Sequence, residues 1–180
     1  LRGKIGSFRD LSGKPKFKID FNQYSPDQRF QGLETIALNN EVVDCSYLKE
    51  PTGYAVFAAL GLPYLLTSYA HVSVNGEDYG LYVIVEFPDD AYLERHFPES
   101  EGNLYDGKYI WYGGYSYTLL DLTSSVQDLY PLEEGVDVGH ADIHDVVSTI
   151  STYAGTSSYY SEMDAVVDWD RVLTYLAWEQ

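Results

Sequence analysis

The sequence predicts an α+β domain, an N-terminal antiparallel sheet with one helix followed by a mainly helical half. Three observations point to it. Apolar residues alternate along residues 16–21, the period of a half-buried strand; an Asn75-Gly76 pair separates two strand-like runs; and beyond residue 140 the apolar spacing shifts to three and four, the period of a helix. Strands that precede helices, instead of alternating with them, favour helices segregated from an antiparallel sheet over a parallel βαβ arrangement.

Taken in order, Lys16-Phe17-Lys18-Ile19-Asp20-Phe21 places Phe17, Ile19 and Phe21 on one face and Lys16, Lys18 and Asp20 on the other. Lys14-Pro15 suits the start of that strand, where a missing N–H matters least. Residues 32–40 read as a short strand ending in Asn39-Asn40, a pair suited to a turn. Asp44 or Ser46 can cap a helix carrying Leu48, Ala55, Phe57, Ala58 and Leu60 and closed by Gly61 and Pro63; Pro51 either sits in its first turn or kinks it. Residues 67–74 and 79–86 form a hairpin, because Asn-Gly favours the two positive φ angles of a type I′ turn. In Leu81-Tyr82-Val83-Ile84-Val85 both faces are apolar, which marks a covered central strand, and Glu86 ends the run. Pro88-Asp89-Asp90 opens a short helix through Phe97, and residues 102–107 read as a turn before a Tyr-rich strand or loop. Residues 121–139 carry little pattern. Ile143, Val146, Val147 and Ile150 then mark one helix, and Val172, Leu173, Leu176 and Ala177 another after a cap at Asp168.

The 180 residues suit one domain. With 28 acids against 11 bases the net charge is −17, a field that repels phosphates, so no nucleic-acid partner is expected. No apolar run approaches the ~20 residues of a membrane span. The single Cys45 excludes an internal disulfide and a zinc site of paired thiolates. Eighteen tyrosines against six lysines, with the acidic balance, are associated with proteins displayed outside bacterial cells, and an extracellular place is the expectation. The chain opens Leu1-Arg2-Gly3-Lys4 and its last helical pattern runs to Gln180, which suggests a segment of a longer protein.

Charge is unevenly spread. Residues 1–50 hold eight bases and seven acids, while residues 51–180 hold three bases and 21 acids. Within the first 18 residues six bases face the lone Asp10 and are interleaved with Gly3, Gly6 and Gly13. Glycine lets backbone N–H groups approach an anion and Lys or Arg neutralises it, so phosphate is one reading; a solvated arm is the other. A Gly-containing loop entering a strand that presents Lys18 is also how phosphate sites are built, although by residue type alone an ordinary exposed strand lysine is the commoner reading.

Several pieces in one order resemble the CotH family, named after spore coat protein H, whose members are regarded as atypical, kinase-like proteins. They are Arg2-Gly3 with its continuation; Lys14-Pro15-Lys16-Phe17-Lys18-Ile19-Asp20-Phe21; Leu38-Asn39-Asn40; Asp44-Cys45-Ser46-Tyr47-Leu48-Lys49-Glu50 with Gly53-Tyr54-Ala55-Val56-Phe57; Leu60-Gly61-Leu62-Pro63; Val74-Asn75-Gly76-Glu77-Asp78-Tyr79-Gly80-Leu81-Tyr82; and Gly102-Asn103-Leu104-Tyr105. Residues 167–177 resemble the family's later helix.

The resemblance implies a kinase-like layout, with residues 1–87 as nucleotide-binding lobe and residues 88–180 as the start of a helical lobe. It implies an ATP site in which Arg2, Gly3, Lys4 and Gly6 lie near phosphates and Lys18 bridges them. Glu50 on the first helix would orient Lys18, and the backbone at Glu86 would pass the adenine. The implied partners are ATP and a Ser/Thr-containing protein substrate at a cell or spore surface. The family's Trp-Asp-x-Asp acids follow the Leu-Thr-Tyr-Leu-Ala helix, so Trp169-Asp170, which precedes it, is not that motif. The domain is therefore expected to be incomplete at the C-terminus, with the Mg2+ ligands and catalytic groups downstream of Gln180 and no metal site within the chain.

Other constellations are weaker. His140 and His144 are four apart, as metal ligands on a helix can be, but no Glu follows the first His, and a solvated helix N-terminus is expected. No Gly-x-Ser-x-Gly elbow occurs. The aromatic residues 109–117 suit an edge strand, or stacking on sugars or a protein partner. That second use sustains an alternative function, a non-catalytic surface adhesion or carbohydrate- or protein-binding module with a kinase-like shell.

Overall fold

A computed structural model describes residues 7–97, 102–106, 110–113, 115–117, 122–125 and 127–179. The chain divides into two compact units, Leu1–Pro98 and Glu99–Gln180. The architecture is α+β with antiparallel sheets, as the sequence predicts.

In the first unit, β1 (Phe17–Asp20), β2 (Thr35–Asn39), β3 (Thr67–Val74) and β4 (Glu77–Glu86) form one sheet in the order β1-β2-β4-β3, every pair antiparallel. The β3–β4 hairpin turns at Asn75 and Gly76, whose φ of 52° and 86° are the two positive angles that turn requires. Gly80, at φ 77°, sits beside the register shift after Val72. One sheet face carries the core of Ile36, Leu38 and Tyr82, joined by Phe17, Phe21, Ala70, Val72 and Ile84. Val83 and Val85 are buried on the opposite face, so the covered part of β4 begins at Tyr82, and Leu81 is exposed.

The helix α1 (Lys49–Ala59) places Pro51 in its first turn, where the ring breaks no helical hydrogen bond. Leu48 at the N-cap offers no side-chain oxygen. Asp44 serves instead, its Oδ2 accepting from Lys49 N–H at 3.0 Å and its Oδ1 from Ser46 N–H and Oγ–H. The short helix α2 (Asp90–His96) is capped by Asp89, whose Oδ1 accepts from Ala91 N–H and Tyr92 N–H. It belongs to the first unit.

The second unit contains β5 (Leu104–Tyr105), β6 (Ile110–Tyr112), β7 (Tyr115–Tyr117), a 3-10 turn (Gln127–Leu129) and β8 (Leu132–Glu134). The helices α3 (Ala141–Tyr153), α4 (Tyr159–Met163) and α5 (Trp169–Glu179) follow. Strand β5 pairs with β8 and β6 with β7. The patternless stretch thus conceals β8, whose three residues are too few for a period to show. Ile143, Val147 and Met163 are buried, and Asp168 caps α5 through Arg171 N–H.

Candidate functional site

The register fixes which side chains share a face. Lys18 stands opposite Ala37, Ala37 opposite Val85 and Val85 opposite Thr67, a row crossing the whole sheet. The next row runs from Asn39 through Val83 to Tyr69, and continuing the β1 register places Lys16 across from Asn39. Two lysines therefore border one end of an apolar floor made by Ala37, Val83 and Val85. Lys18 is exposed, and its ammonium lies 3.9 Å from the centre of the Phe87 ring. That position leaves the charge within reach of an anion.

Next to Lys16, Asn39 Nδ2 donates to both carboxylate oxygens of Glu50, at 2.8 and 2.6 Å, and ties β2 to α1. Glu41, 8% exposed, lies close enough to Glu50 for the two carboxyl groups to act on one another. Burial pushes the Glu41 carboxyl above its ordinary range, Glu50 adds to the push, and the charge of Lys16 opposes it. The expected Lys18–Glu50 pair is not formed: Asn39, on the strand between them, takes the carboxylate. The strand lysine whose charge reaches Glu41 is Lys16.

Lys14 is a different kind of cation. Its ammonium donates to Tyr47 Oη at 2.7 Å and to Leu81 C=O at 2.6 Å, and lies 4.8 Å from the ring centres of both Tyr47 and Tyr82. It pins the chain entering β1 and is not available to a ligand.

Glu86 is buried at 2% exposure. Arg95 of α2 embraces its carboxylate, Nη1 donating to Oε1 at 2.8 Å and Nη2 to Oε2, and Leu66 N–H also donates to Oε2 at 2.9 Å. The guanidinium is held in its charged form chiefly by that bond. Glu86 N–H donates to Leu66 C=O, so this backbone donor is already engaged within the sheet. Sequence reasoning passed over Arg95, although it is the lone base between Lys49 and Lys108, which is how the partner of a buried acid stands out in an acidic stretch. The expected phosphate neighbours Arg2, Gly3, Lys4 and Gly6 lie outside the described residues.

A family described as CotH kinase protein matches residues 1–180. The chain belongs to the CotH family. Inner spore coat protein H of Bacillus subtilis (strain 168) is a CotH relative 27% identical over 172 residues, 91% of this chain. The chain spans 44% of that relative's length.

Among the described residues no group of three or more His, Cys, Asp or Glu side chains is arranged to hold a metal ion. The two histidines of the second unit face different partners: His140 Nε2 lies 2.5 Å from Tyr130 C=O and His144 Nε2 lies 2.6 Å from Asp128 Oδ1. Nor is any helix among the described residues long and apolar enough to cross a membrane.

Proposed function

We propose that this CotH chain carries the nucleotide-gripping part of an ATP-dependent protein kinase that phosphorylates Ser or Thr hydroxyls of a coat or surface protein. One observation carries the reading: the exposed Lys18 ammonium stands at the rim of the Ala37–Val83–Val85 floor, on the face where β2 and α1 are tied together. In a chain of net charge −17, an unburied cation on the sheet face that carries α1 is a counter-charge a phosphate tail would need. The family's description as a kinase supports the same reading.

In this proposal Lys18 moves from the Phe87 ring to phosphate oxygens, an exchange of one weak partner for a charged one. Glu50 fixes Asn39, which stands across from Lys16, and the segment with Arg2, Gly3, Lys4 and Gly6 adds further phosphate contacts. Glu86 secures the end of β4 past which the base lies. The substrate hydroxyl attacks the γ-phosphorus, the bond to the β-phosphate oxygen breaks, ADP departs, and the hydroxyl proton is released. Mg2+, when bound, neutralises charge between the phosphates. The described residues offer it no fitting cluster, so no step here is assigned to it. By analogy with the Bacillus relative, the proposed place of action is a spore coat or cell surface.

The test is autophosphorylation of the full-length protein with labelled ATP and Mg2+. Lys18→Ala should lower the rate by ~10²-fold, in line with loss of one charge-assisted phosphate contact, while the melting temperature is unchanged. Unchanged labelling removes Lys18 from the site. A wild-type protein that neither labels nor binds ATP favours the non-catalytic binding module.

A further inference from the structure

Lys18 and Phe87 do not come from neighbouring strands: β2 lies between β1 and β4, so about 10 Å of sheet separates the two backbones. Their side chains nevertheless meet, with the Lys18 ammonium 3.9 Å from the ring centre. The residue opposite the lysine on β2 is Ala37, whose methyl group leaves room for a long stem to lie across the strand. Phe87 directly follows β4 and continues the β2–β4 pairing, its N–H donating to Thr35 C=O at 3.4 Å. The chain holds it from both sides. Glu86 before it is locked by Arg95 and by Leu66 N–H, and Asp89 after it is buried and caps α2. The cation has an acidic alternative on its own strand, since Asp20 stands two residues on and on the same face. Among the described residues, however, Lys18 makes no ion pair and takes the ring.

The ring sits at the far end of β1 from the basic segment. That segment joins the strand at Lys16, whereas Phe87 lies beside Thr35, the partner of Asp20 at the other end. Lys18 is thus turned away from the basic segment and toward the end of β4. A solvent-exposed lysine resting on a ring covers that face with a weak hold, because a cation–π contact at an exposed site is worth only a few-fold in population. Phosphate oxygens offer the same ammonium a stronger, charge-assisted bond. Once the lysine swings to them, the face it leaves is aromatic and reachable from solvent, which is what a purine ring stacks on. We propose that Phe87 is the nucleobase platform of this site and that Lys18 occupies its face until a nucleotide arrives. The inference rests on the nucleotide reading of Lys18 and adds a residue that selects for an aromatic base over phosphate alone.

The experiment uses the full-length protein with Mg2+, two variants and two probes, ATP and inorganic triphosphate. Phe87→Leu removes the ring and keeps an apolar side chain; Phe87→Tyr keeps the ring. Calorimetry should show Phe87→Leu binding ATP ~10-fold more weakly, through loss of base stacking, and triphosphate ~3-fold more tightly, because Lys18 no longer has a ring to leave. Phe87→Tyr should match the wild type with both probes. A merely structural role for the ring would not move the two probes in opposite directions. Wild-type ATP affinity in Phe87→Leu overturns the platform, and triphosphate bound no more tightly than by the wild type overturns the exchange. Should Phe87→Leu not fold, NMR of the wild-type protein carries the test. Bound ATP should give a nuclear Overhauser contact between its adenine protons and the Phe87 ring, assigned with Phe87→Tyr, and absence of that contact at saturation overturns the platform. A wild-type protein that binds neither probe overturns the kinase reading and the platform with it, whereas one that binds both, with no loss of ATP affinity in Phe87→Leu, loses the platform alone.

Discussion

The β4–α2 junction and the outer edge of β1 use cations in opposite ways. At the junction Arg95 is folded against a buried Glu86, and every oxygen of that carboxylate is answered. At the edge Lys18 stays exposed and, among the described residues, meets the face of the Phe87 ring. A charge satisfied inside the fold holds the fold, and a charge displayed at the surface is free to meet a ligand. Lys14, four residues before Lys18, shows how close in sequence the two uses lie: it belongs with Arg95, since two hydrogen bonds and two rings surround its ammonium.

Four substitutions sharpen that contrast. The largest effect on the fold is expected from Arg95→Ala, which strands the Glu86 carboxylate in the interior and should destabilise by about 3–5 kcal/mol, read as a lower denaturation midpoint. Lys18→Ala should weaken ATP binding by ~10²-fold, about 2.7 kcal/mol, and leave the denaturation midpoint within ~0.5 kcal/mol of wild type. If Lys18→Ala unfolds the protein as Arg95→Ala does, the two regions are alike and the contrast fails. Lys14→Met keeps the stem and removes the charge; a loss of about 1–2 kcal/mol of stability is expected from its bonds and rings.

The smallest effect concerns Glu41. Its folded carboxyl pKa lies above the ordinary 4.5, so its contribution to stability is fully present below pH 4.5 and is lost as pH rises through the folded value. Glu41→Gln keeps a neutral hydrogen-bonding group and removes that loss. The variant should therefore be more stable than wild type at neutral pH, read as a higher denaturation midpoint, with the gain vanishing below pH 4.5. A gain independent of pH would show that the carboxyl does not titrate in that range.

Much of the first unit was legible because its signals are local. The alternation at residues 16–21, the Asn75-Gly76 turn, Pro51 in a first turn and Asp89 as a cap each follow from the dihedral or hydrogen-bond needs of a few adjacent residues. The second unit was less legible, because β5 pairs with β8 across nearly thirty residues and neither strand is long enough to display a period. The candidate site was legible in its charge and not in its pairing. Composition placed a cationic cluster before and within β1, yet it could not separate Lys14, Lys16 and Lys18, whose roles depend on Tyr47, Glu41 and Phe87 far along the chain. Asn39-Asn40 reads as a turn by residue type. In the fold Asn39 fastens α1 and Asn40 fastens the basic loop, uses that only tertiary contact reveals.

The most direct measurement is isothermal calorimetry of ATP, with Mg2+, against the full-length wild-type protein and Lys18→Ala in parallel, with melting curves for both. Saturable heat from the wild type, strongly reduced in an equally stable Lys18→Ala variant, is the result expected of a nucleotide held at the rim of this sheet. Equal binding by the two proteins, or no heat from either, contradicts it.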